Sequence, residues 1–465
     1  MDNIFDKNFW LLIGVIFLIM VSLSFFSQFS LFVLAGLIIF LLIIFFWLYP
    51  SVGIYLIAFL YPFNYWEFVY GGINVPYVDI VALILFISFS AKLIFLYFSQ
   101  GRKISMRDFP LWFFMLLFAL SGALSLTNVD REYFNESLKY LIRPICFFYL
   151  FIFLPFNIID DFKKLFQTYK IMFVLGIILS LMGVWSLIFP PFTGIRQAVP
   201  LSIFGVWPLG TNHNSLAEIL ICLIPIALIL FWQEKDIFIK NLYLLGALLM
   251  TAVNLLTLSR GGWLALMVEL LILLILKYRE STKRFLMSYL FYMILLLIAP
   301  ILFLMYQLMT STVIVSSNLS RLKLAEIAIN VFKQYPLIGA GVGTFIGIVA
   351  QTTWYVVEYG NPLDAHGFIF KTMAETGILG TLSFLAILGS ALYLLTKGYI
   401  KNNRTHYSWL ILGVLLMAVG DITFQLFSTN YYIARFWLPL GLALTTLKLA
   451  DIKFLNQKIA YGRKS

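Results

Sequence analysis

The feature that most limits this chain is a series of long, unbroken apolar runs separated by short polar segments. Candidate runs fall at 9–27, 29–49, 51–63, 77–98, 109–126, 138–156, 170–190, 214–232, 240–257, 261–277, 285–306, 366–396, 407–426 and 432–449. A hydrocarbon layer ~30 Å thick takes ~20 helical residues to cross. Inside it, each backbone amide must be paired within its own helix or within a closed barrel. These runs are continuous rather than alternating, so they predict helices and not barrel strands. The run at 51–63 is too short to cross alone at ~1.5 Å per residue. It is read as re-entrant or merged with a neighbour, which puts the expected count at roughly 12–14 spans.

Composition supports the same fold class. Hydrophobic residues make up 62% of the 465 positions and charged residues 11%, with a mean hydropathy of +0.96. Soluble domains carry about 25% charged residues, so this chain lacks the polar surface a particle of its size needs in water. The expectation is an all-α polytopic membrane protein, a single integral membrane domain over 1–465. Its first ten residues hold two acids and one Lys with no basic region or cleavage site, so 9–27 is read as a retained span. Cys146 and Cys222 lie inside apolar runs and suggest neither a disulfide framework nor a zinc site.

The net charge of +11 is not read as a nucleic-acid footprint, because the basic residues alternate by loop. One set of loops carries Arg102, Lys103 and Arg107, then Lys163 and Lys164, Lys235, then Arg279, Lys283 and Arg284, and then Lys397, Lys401 and Arg404. The tail adds Lys448, Lys453, Lys458, Arg463 and Lys464. The intervening segments, 64–76, 127–137, 191–213 and 427–431, are nearly free of Lys and Arg. By the positive-inside rule both termini are expected in the cytoplasm.

Segment 307–365 is the single long break between runs and falls on the external side. Unstructured loops of such length are uncommon unless functional. Within it Asn318 to Gln334 reads as a helix, with apolar Leu322, Ile329 and Phe332 and a stop at Tyr335-Pro336, able to lie along a membrane surface.

With the cytoplasmic positives set aside, the remaining cations are Arg131, Lys139, Arg143, Arg196, Arg260, Arg321, Lys323, Lys333, Lys371 and Arg435. Charge at a membrane boundary is expensive and marks function. Arg260 stands in Thr257-Leu-Ser-Arg-Gly-Gly-Trp263-Leu264. Its guanidinium offers forked donors suited to phosphate, and Gly261 and Gly262 permit close approach. The competing reading is an interfacial Arg lying beside Trp263. His366, in Asp364-Ala-His366-Gly, opens the helix after the long segment. A neutral imidazole can take a proton from a hydroxyl, with Asp364 two residues earlier to orient it; the competing reading is a capping or packing histidine. Arg321 sits on the interfacial helix, where contact with the lipid surface is the plainer explanation. The sequence has no phosphate-binding Gly-rich loop, no HExxH and no metal-spaced Cys/His cluster; if anionic phosphate is handled outside, arginines must do it without an evident metal.

Three segments together resemble the O-antigen ligase and Wzy polymerase superfamily. Arg260-Gly-Gly-Trp-Leu264 is similar to its Arg-x3-Leu motif, and His366 with Gly377 to its His-x10-Gly motif. Arg321 followed by Tyr335-Pro-Leu-Ile-Gly-Ala-Gly-Val-Gly-Thr-Phe345 resembles its large periplasmic loop. Thr211-Asn-His-Asn-Ser-Leu-Ala217 is similar to the Asn-x-Leu-Ala segment ahead of the Arg helix. The resemblance covers roughly 200–385 and departs from the family at Gly367, where many members have Asn.

The resemblance implies a GT-C-like, metal-independent glycosyltransferase in the bacterial cytoplasmic (inner) membrane, with its active site facing the periplasm. The implied donor is a glycan on undecaprenyl diphosphate, and the acceptor a hydroxyl of lipid A-core or of a growing polysaccharide. Arg260 and Arg321 would bind the diphosphate and stabilise it as leaving group, and His366 would activate the acceptor. Arg196, on the external segment 191–213, and Asp364 join them as substrate-binding candidates. Ligase, Wzy-type polymerase and protein O-oligosaccharyltransferase are not separated by these motifs. From another class, a secondary transporter of an anionic solute or lipid-linked sugar would need ionisable residues at mid-membrane; Arg143 and Lys371 are the positions that favour it.

Overall fold

The computed structural model describes Gly14 and residues 30–70, 73–101, 109–192, 196–278 and 312–462. The expected spans 9–27, apart from Gly14, and 285–306 lie outside the described residues, as do Arg102, Lys103, Arg107, Arg279, Lys283, Arg284, Arg463 and Lys464. The chain is an all-α polytopic membrane protein. Its helices are α1 (Ser30–Leu48), α2 (Pro50–Leu60), α3 (Tyr77–Gln100), α4 (Trp112–Ser125), α5 (Phe134–Phe147), α6 (Leu154–Ile158), α7 (Phe162–Ile188) and α8 (His213–Gln233). There follow α9 (Ile237–Leu256), α10 (Arg260–Leu276), α11 (Thr312–Gln334), α12 (Phe345–Gln351), α13 (Thr353–Tyr359), α14 (Phe368–Asn402), α15 (Ser408–Gln425) and α16 (Ala434–Gly462). A π-helical stretch, Phe148–Phe153, joins α5 to α6.

Each expected span that falls on described residues is helical. Among the described residues, seven helices are long and apolar enough to cross a bilayer, and up to eight if the bent pair is one span. The run at 51–63 belongs to that pair: α2 starts on Pro50 and leaves the line of α1 at 114°. The runs at 109–126 and 261–277 form shorter helices of 14 and 17 residues. Segment 64–76 is more ordered than a plain loop. Glu67–Tyr70 and Ile73–Pro76 pair as an antiparallel hairpin, β1 and β2, with Glu67 opposite Pro76, as aromatic and β-branched residues favour.

Two helices, α8 and α15, form the centre and are buried along almost their whole length. Around them α7, α9 and α10 bury one side and leave Leu181, Leu245, Leu248, Leu270 and Leu271 exposed, the pattern of a helix with one face to protein and one to lipid. The interior therefore draws its order from close packing and satisfied polar groups, since apolar burial gives no preference over lipid.

The helix in the long segment starts at Thr312 and stops at Gln334, the expected end. Its buried face differs from the one expected. Leu322 is 65% exposed and Ile329 37%, whereas Leu324, Ile327, Ala328 and Val331 pack against Phe345, Val349, Tyr355 and Ala374. The i, i+3, i+4, i+7 stripe wins because α12, α13 and the start of α14 offer it a core. Segment 307–365 thus builds a small core of its own.

Candidate functional site

The N-termini of α8, α10 and α14 meet at one end of the bundle around a cavity of about 670 Å³ lined by His213, Arg260, Arg321, Asp364 and His366. The local chemistry that brings them there is capping. Asn212 caps α8 by accepting from the Asn214 amide at 2.9 Å. Ser259 caps α10 through the Gly262 amide and donates its hydroxyl to Asn214 Oδ1 at 2.7 Å. Between α9 and α10 the chain turns within three residues, Thr257 to Ser259, with Leu258 left-handed at φ 56°. The two helix starts are thereby pinned together, and the residue that follows each cap faces the same space.

Arg260 enters that space. Its guanidinium donates to Asn318 on α11, while the neighbouring Trp263 indole turns back to donate to the Leu255 carbonyl at 3.0 Å. Arg321 lies one turn after Asn318 and is half-buried in the same cavity. Burial, and then the charge of Arg260, hold its basicity below the ordinary arginine value. Neither guanidinium has a carboxylate partner among the described residues. Two unpaired guanidiniums beside three helix N-termini make a strongly positive recess suited to an anion.

His366 is half-buried on the same wall, with a left-handed backbone at φ 48°. Burial comes first, and then the charge of Arg321, in lowering its pKa below the usual 6.5, against the raising effect of Asp364. The ring is therefore neutral near pH 7, the state a base requires. Asp364 does not take up the orienting bond that its spacing suggested. Its Oδ2 accepts from Lys371 Nζ at 2.7 Å and from Thr429 Oγ1 at 2.9 Å, and its Oδ1 accepts the Ala365 amide at 2.9 Å. Arg196 is exposed and does not line the cavity; its neighbour Gln197 does, 3.3 Å from His213 Nδ1. Among the described residues no group of three or more His, Cys, Asp or Glu side chains is placed to hold a metal ion.

The Gly-rich stretch after Tyr335 has a mechanical part. Gly377 breaks α14 with φ 61° and ψ −160°, leaving backbone groups on both sides without helical partners. The stretch supplies them: Ala340 and Gly341 amides donate to the Ala374 and Glu375 carbonyls at 2.8 and 3.0 Å. In return the Ile378 and Leu379 amides donate to Pro336 and Leu337 at 2.9 and 3.3 Å. The helix bearing Arg321 is thus fastened to the helix that His366 introduces.

On the cavity floor, sequence reasoning passed over Glu218 and gave Arg435 no role beyond that of an external cation. Glu218 is buried and accepts from Gln425 and Asn430, with Arg435 at 3.7 Å. Arg435 also donates to the Pro62 and Leu209 carbonyls. The usable signal was Glu218 itself, a carboxylate near the start of an otherwise apolar run.

Comparison with known proteins meets this geometry at the same residues. A protein-family model described as O-antigen ligase matches residues 245–385, a stretch that holds Arg260, Arg321, Asp364, His366 and Gly377. A search of curated proteins found no match. The match makes this stretch, under a third of the chain, similar to O-antigen ligases, and it is the stretch that carries the cavity's arginines and histidine.

Proposed function

We propose that the chain transfers a glycan from undecaprenyl diphosphate to an acceptor hydroxyl, in the manner of an O-antigen ligase, on the outer face of the cytoplasmic membrane. The observation that carries this reading is the pair Arg260 and Arg321, unpaired with acid among the described residues and set in one cavity with a neutral His366. In the reaction, the acceptor oxygen attacks the anomeric carbon while its proton passes to an imidazole nitrogen of His366. The bond from that carbon to the diphosphate oxygen breaks, and the electron pair leaves with the diphosphate. Arg260 and Arg321 meet the charge that develops there, which is where fixed cations lower a barrier most. The imidazolium then returns its proton to water.

The outward orientation has support of its own. Lys235, Lys277 and Arg404 gather at the end of the bundle opposite the cavity, as basic residues do on the cytoplasmic side. On this reading 307–365 is an external, periplasmic loop folded over the site.

One observation favours a second reading. Glu269 and Asp421 are buried within α10 and α15, and each has a carboxylate oxygen with no hydrogen-bond partner. Buried ionisable groups of this kind also occur in transporters. Purified protein in detergent, where no gradient exists, separates the two. With a lipid-diphosphate-linked glycan and an acceptor, product should form with EDTA present, and His366→Ala should abolish product while donor still binds. Absence of transfer by active-folded protein, with solute uptake after reconstitution, would replace the transferase reading.

A further inference from the structure

We infer that Lys371 is a positioning residue for His366: by holding Asp364 it fixes the turn that presents the imidazole to the cavity. This inference rests on the transferase reading above. Lys371 is 1% exposed on the first turns of α14. A buried ammonium persists only where carboxylates and aromatic faces replace its water. Asp364 Oδ2 sits 2.7 Å away and Glu375 Oε1 4.0 Å. The rings of Tyr140 and Tyr432 lie 5.4 and 5.0 Å from the ammonium.

Each partner belongs to a different part of the site. Asp364 begins the turn that ends in His366, and the same carboxylate takes the Thr429 hydroxyl from the loop between α15 and α16. Glu375 accepts the Phe345 amide at the end of the Gly-rich stretch. One ammonium therefore fastens three segments that share no helix. The turn needs such a fastening because His366 is held left-handed at φ 48°, with Gly367 extended after it. A non-glycine residue keeps that backbone only where its surroundings impose it. The left-handed residue lies between the Asp364 anchor and the first turn of α14, where the Lys371 amide donates to the Gly367 carbonyl at 3.2 Å. Both ends of the strained segment are thus tied to the same lysine, one by its side chain and one by its backbone.

Charge makes this role separable from ordinary packing. Among the described residues, the charged and titratable groups that share the cavity with His366 are Asp364 from its own segment, Arg321 from α11, Arg260 from α10, His213 from α8, Tyr65, and the Glu218–Arg435 pair on the floor. Lys371 stands behind Asp364 and offsets its charge. Lys371→Met leaves Asp364 unopposed, which raises the basicity of His366. Activity that needs a neutral imidazole is lost as pH falls through its pKa, so the acid limb of the rate profile moves to higher pH. Asp364→Asn removes the group that raises His366 and moves the limb to lower pH. The double variant removes both and should bring the limb back between the two.

The test measures turnover against pH and donor affinity for wild type, Lys371→Met, Asp364→Asn and the pair combined. Each is purified in full length and checked for monodispersity, with His366→Ala alongside. Turnover in each single variant should fall by about 10²-fold, as a displacement near ~1 Å of a reacting group costs, with donor affinity within about twofold. The double variant should be no worse than the worse single, because coupled residues are not additive. Limbs that stay in place, or affinity lost in step with rate, would overturn the positioning role. If Lys371→Met does not accumulate, Asp364→Asn and the charge-balanced double carry the same readouts. Normal transfer by His366→Ala would instead remove the base reading itself, a failure distinct from an inactive His366→Ala beside an unaffected Lys371→Met.

Discussion

Gly377→Ala tests whether the fastening between the Gly-rich stretch and α14 sets the geometry of the site. The native backbone, φ 61° and ψ −160°, lies in a region open essentially to glycine alone, and another residue there costs about 1–3 kcal/mol. The new Cβ would stand 2.5 Å from the carbonyl carbon and oxygen of Leu337 and 2.6 Å from the Ile338 amide nitrogen. Both contacts are backbone, so no side chain can rotate away. Relief requires the stretch to withdraw, and withdrawal breaks the bonds from Ala340, Gly341, Ile378 and Leu379, each contributing about 1 kcal/mol. The sum, about 5–7 kcal/mol on combining the two, exceeds what a local opening needs but need not unfold the whole domain. The variant should remain helical and membrane-inserted, become cleavable by protease within 336–344, and lose turnover by about 10²-fold as Arg321 and His366 come apart. Gly339→Ala, whose Cβ would meet the Glu375 carbonyl carbon at 2.3 Å, should do the same. Wild-type protease resistance together with wild-type turnover in Gly377→Ala would refute the fastening and leave the kink as mere bending.

Three further outcomes follow from the same geometry. Arg260→Lys keeps the charge but loses the fork; losing one charge-assisted bond, about 1.5–3 kcal/mol, should cut transfer by about 10- to 100-fold, and a fully active Lys variant would contradict phosphate binding here. Donor binding adds negative charge beside Arg321 and so offsets the field that lowers His366; the acid limb of kcat should lie at higher pH than that of kcat/KM, and coincident limbs would contradict it. A cysteine at Gln351 should be labelled from outside intact cells and one at Asn403 should not; the reverse pattern would invert the proposed orientation.

Much of the fold was legible because the membrane makes backbone satisfaction a local matter: a long apolar run must become a helix whatever surrounds it. Thus α7, α8, α9 and α14 appear where hydropathy puts them. What was illegible depended on partners distant in sequence. The buried face of α11 was set by α12, α13 and α14, and no count along 318–334 contains them. Arg260, Arg321 and His366 could be chosen because charge next to apolar sequence is conspicuous, and the cavity gathers all three. Asp364 was rightly singled out as a neighbour of His366 in sequence, but its carboxylate turns to Lys371 and Thr429, residues 7 and 65 positions away. Arg196 shows the opposite limit: its charge was visible, yet the chain turns so that Gln197, not Arg196, faces the cavity. Glu218 was hidden by its own apolar run, since its partners Gln425, Asn430 and Arg435 come from the far end of the chain.

The arrangement also bears on how the proposed base and two cations would share so small a space. Left alone, the positive recess would favour anionic groups, and an aspartate bonded directly to His366 would raise its pKa and neutralise the arginines in one step. Directing Asp364 toward Lys371 keeps that carboxylate close enough to hold the turn but matched by a charge of its own. Glu218 is likewise matched by Arg435 on the floor. The acids that line the cavity are thus paired with cations of their own, and the charge without an acid partner among the described residues, on Arg260 and Arg321, is positive. On the proposed function, a diphosphate would meet guanidiniums rather than carboxylates, and a hydroxyl would meet an imidazole free to accept its proton. Electrostatic stabilisation of this kind works because the groups are oriented before the substrate arrives and need not reorganise when the bond breaks. The helix caps at Asn212 and Ser259 and the kink at Gly377 are the parts of the backbone that hold them so.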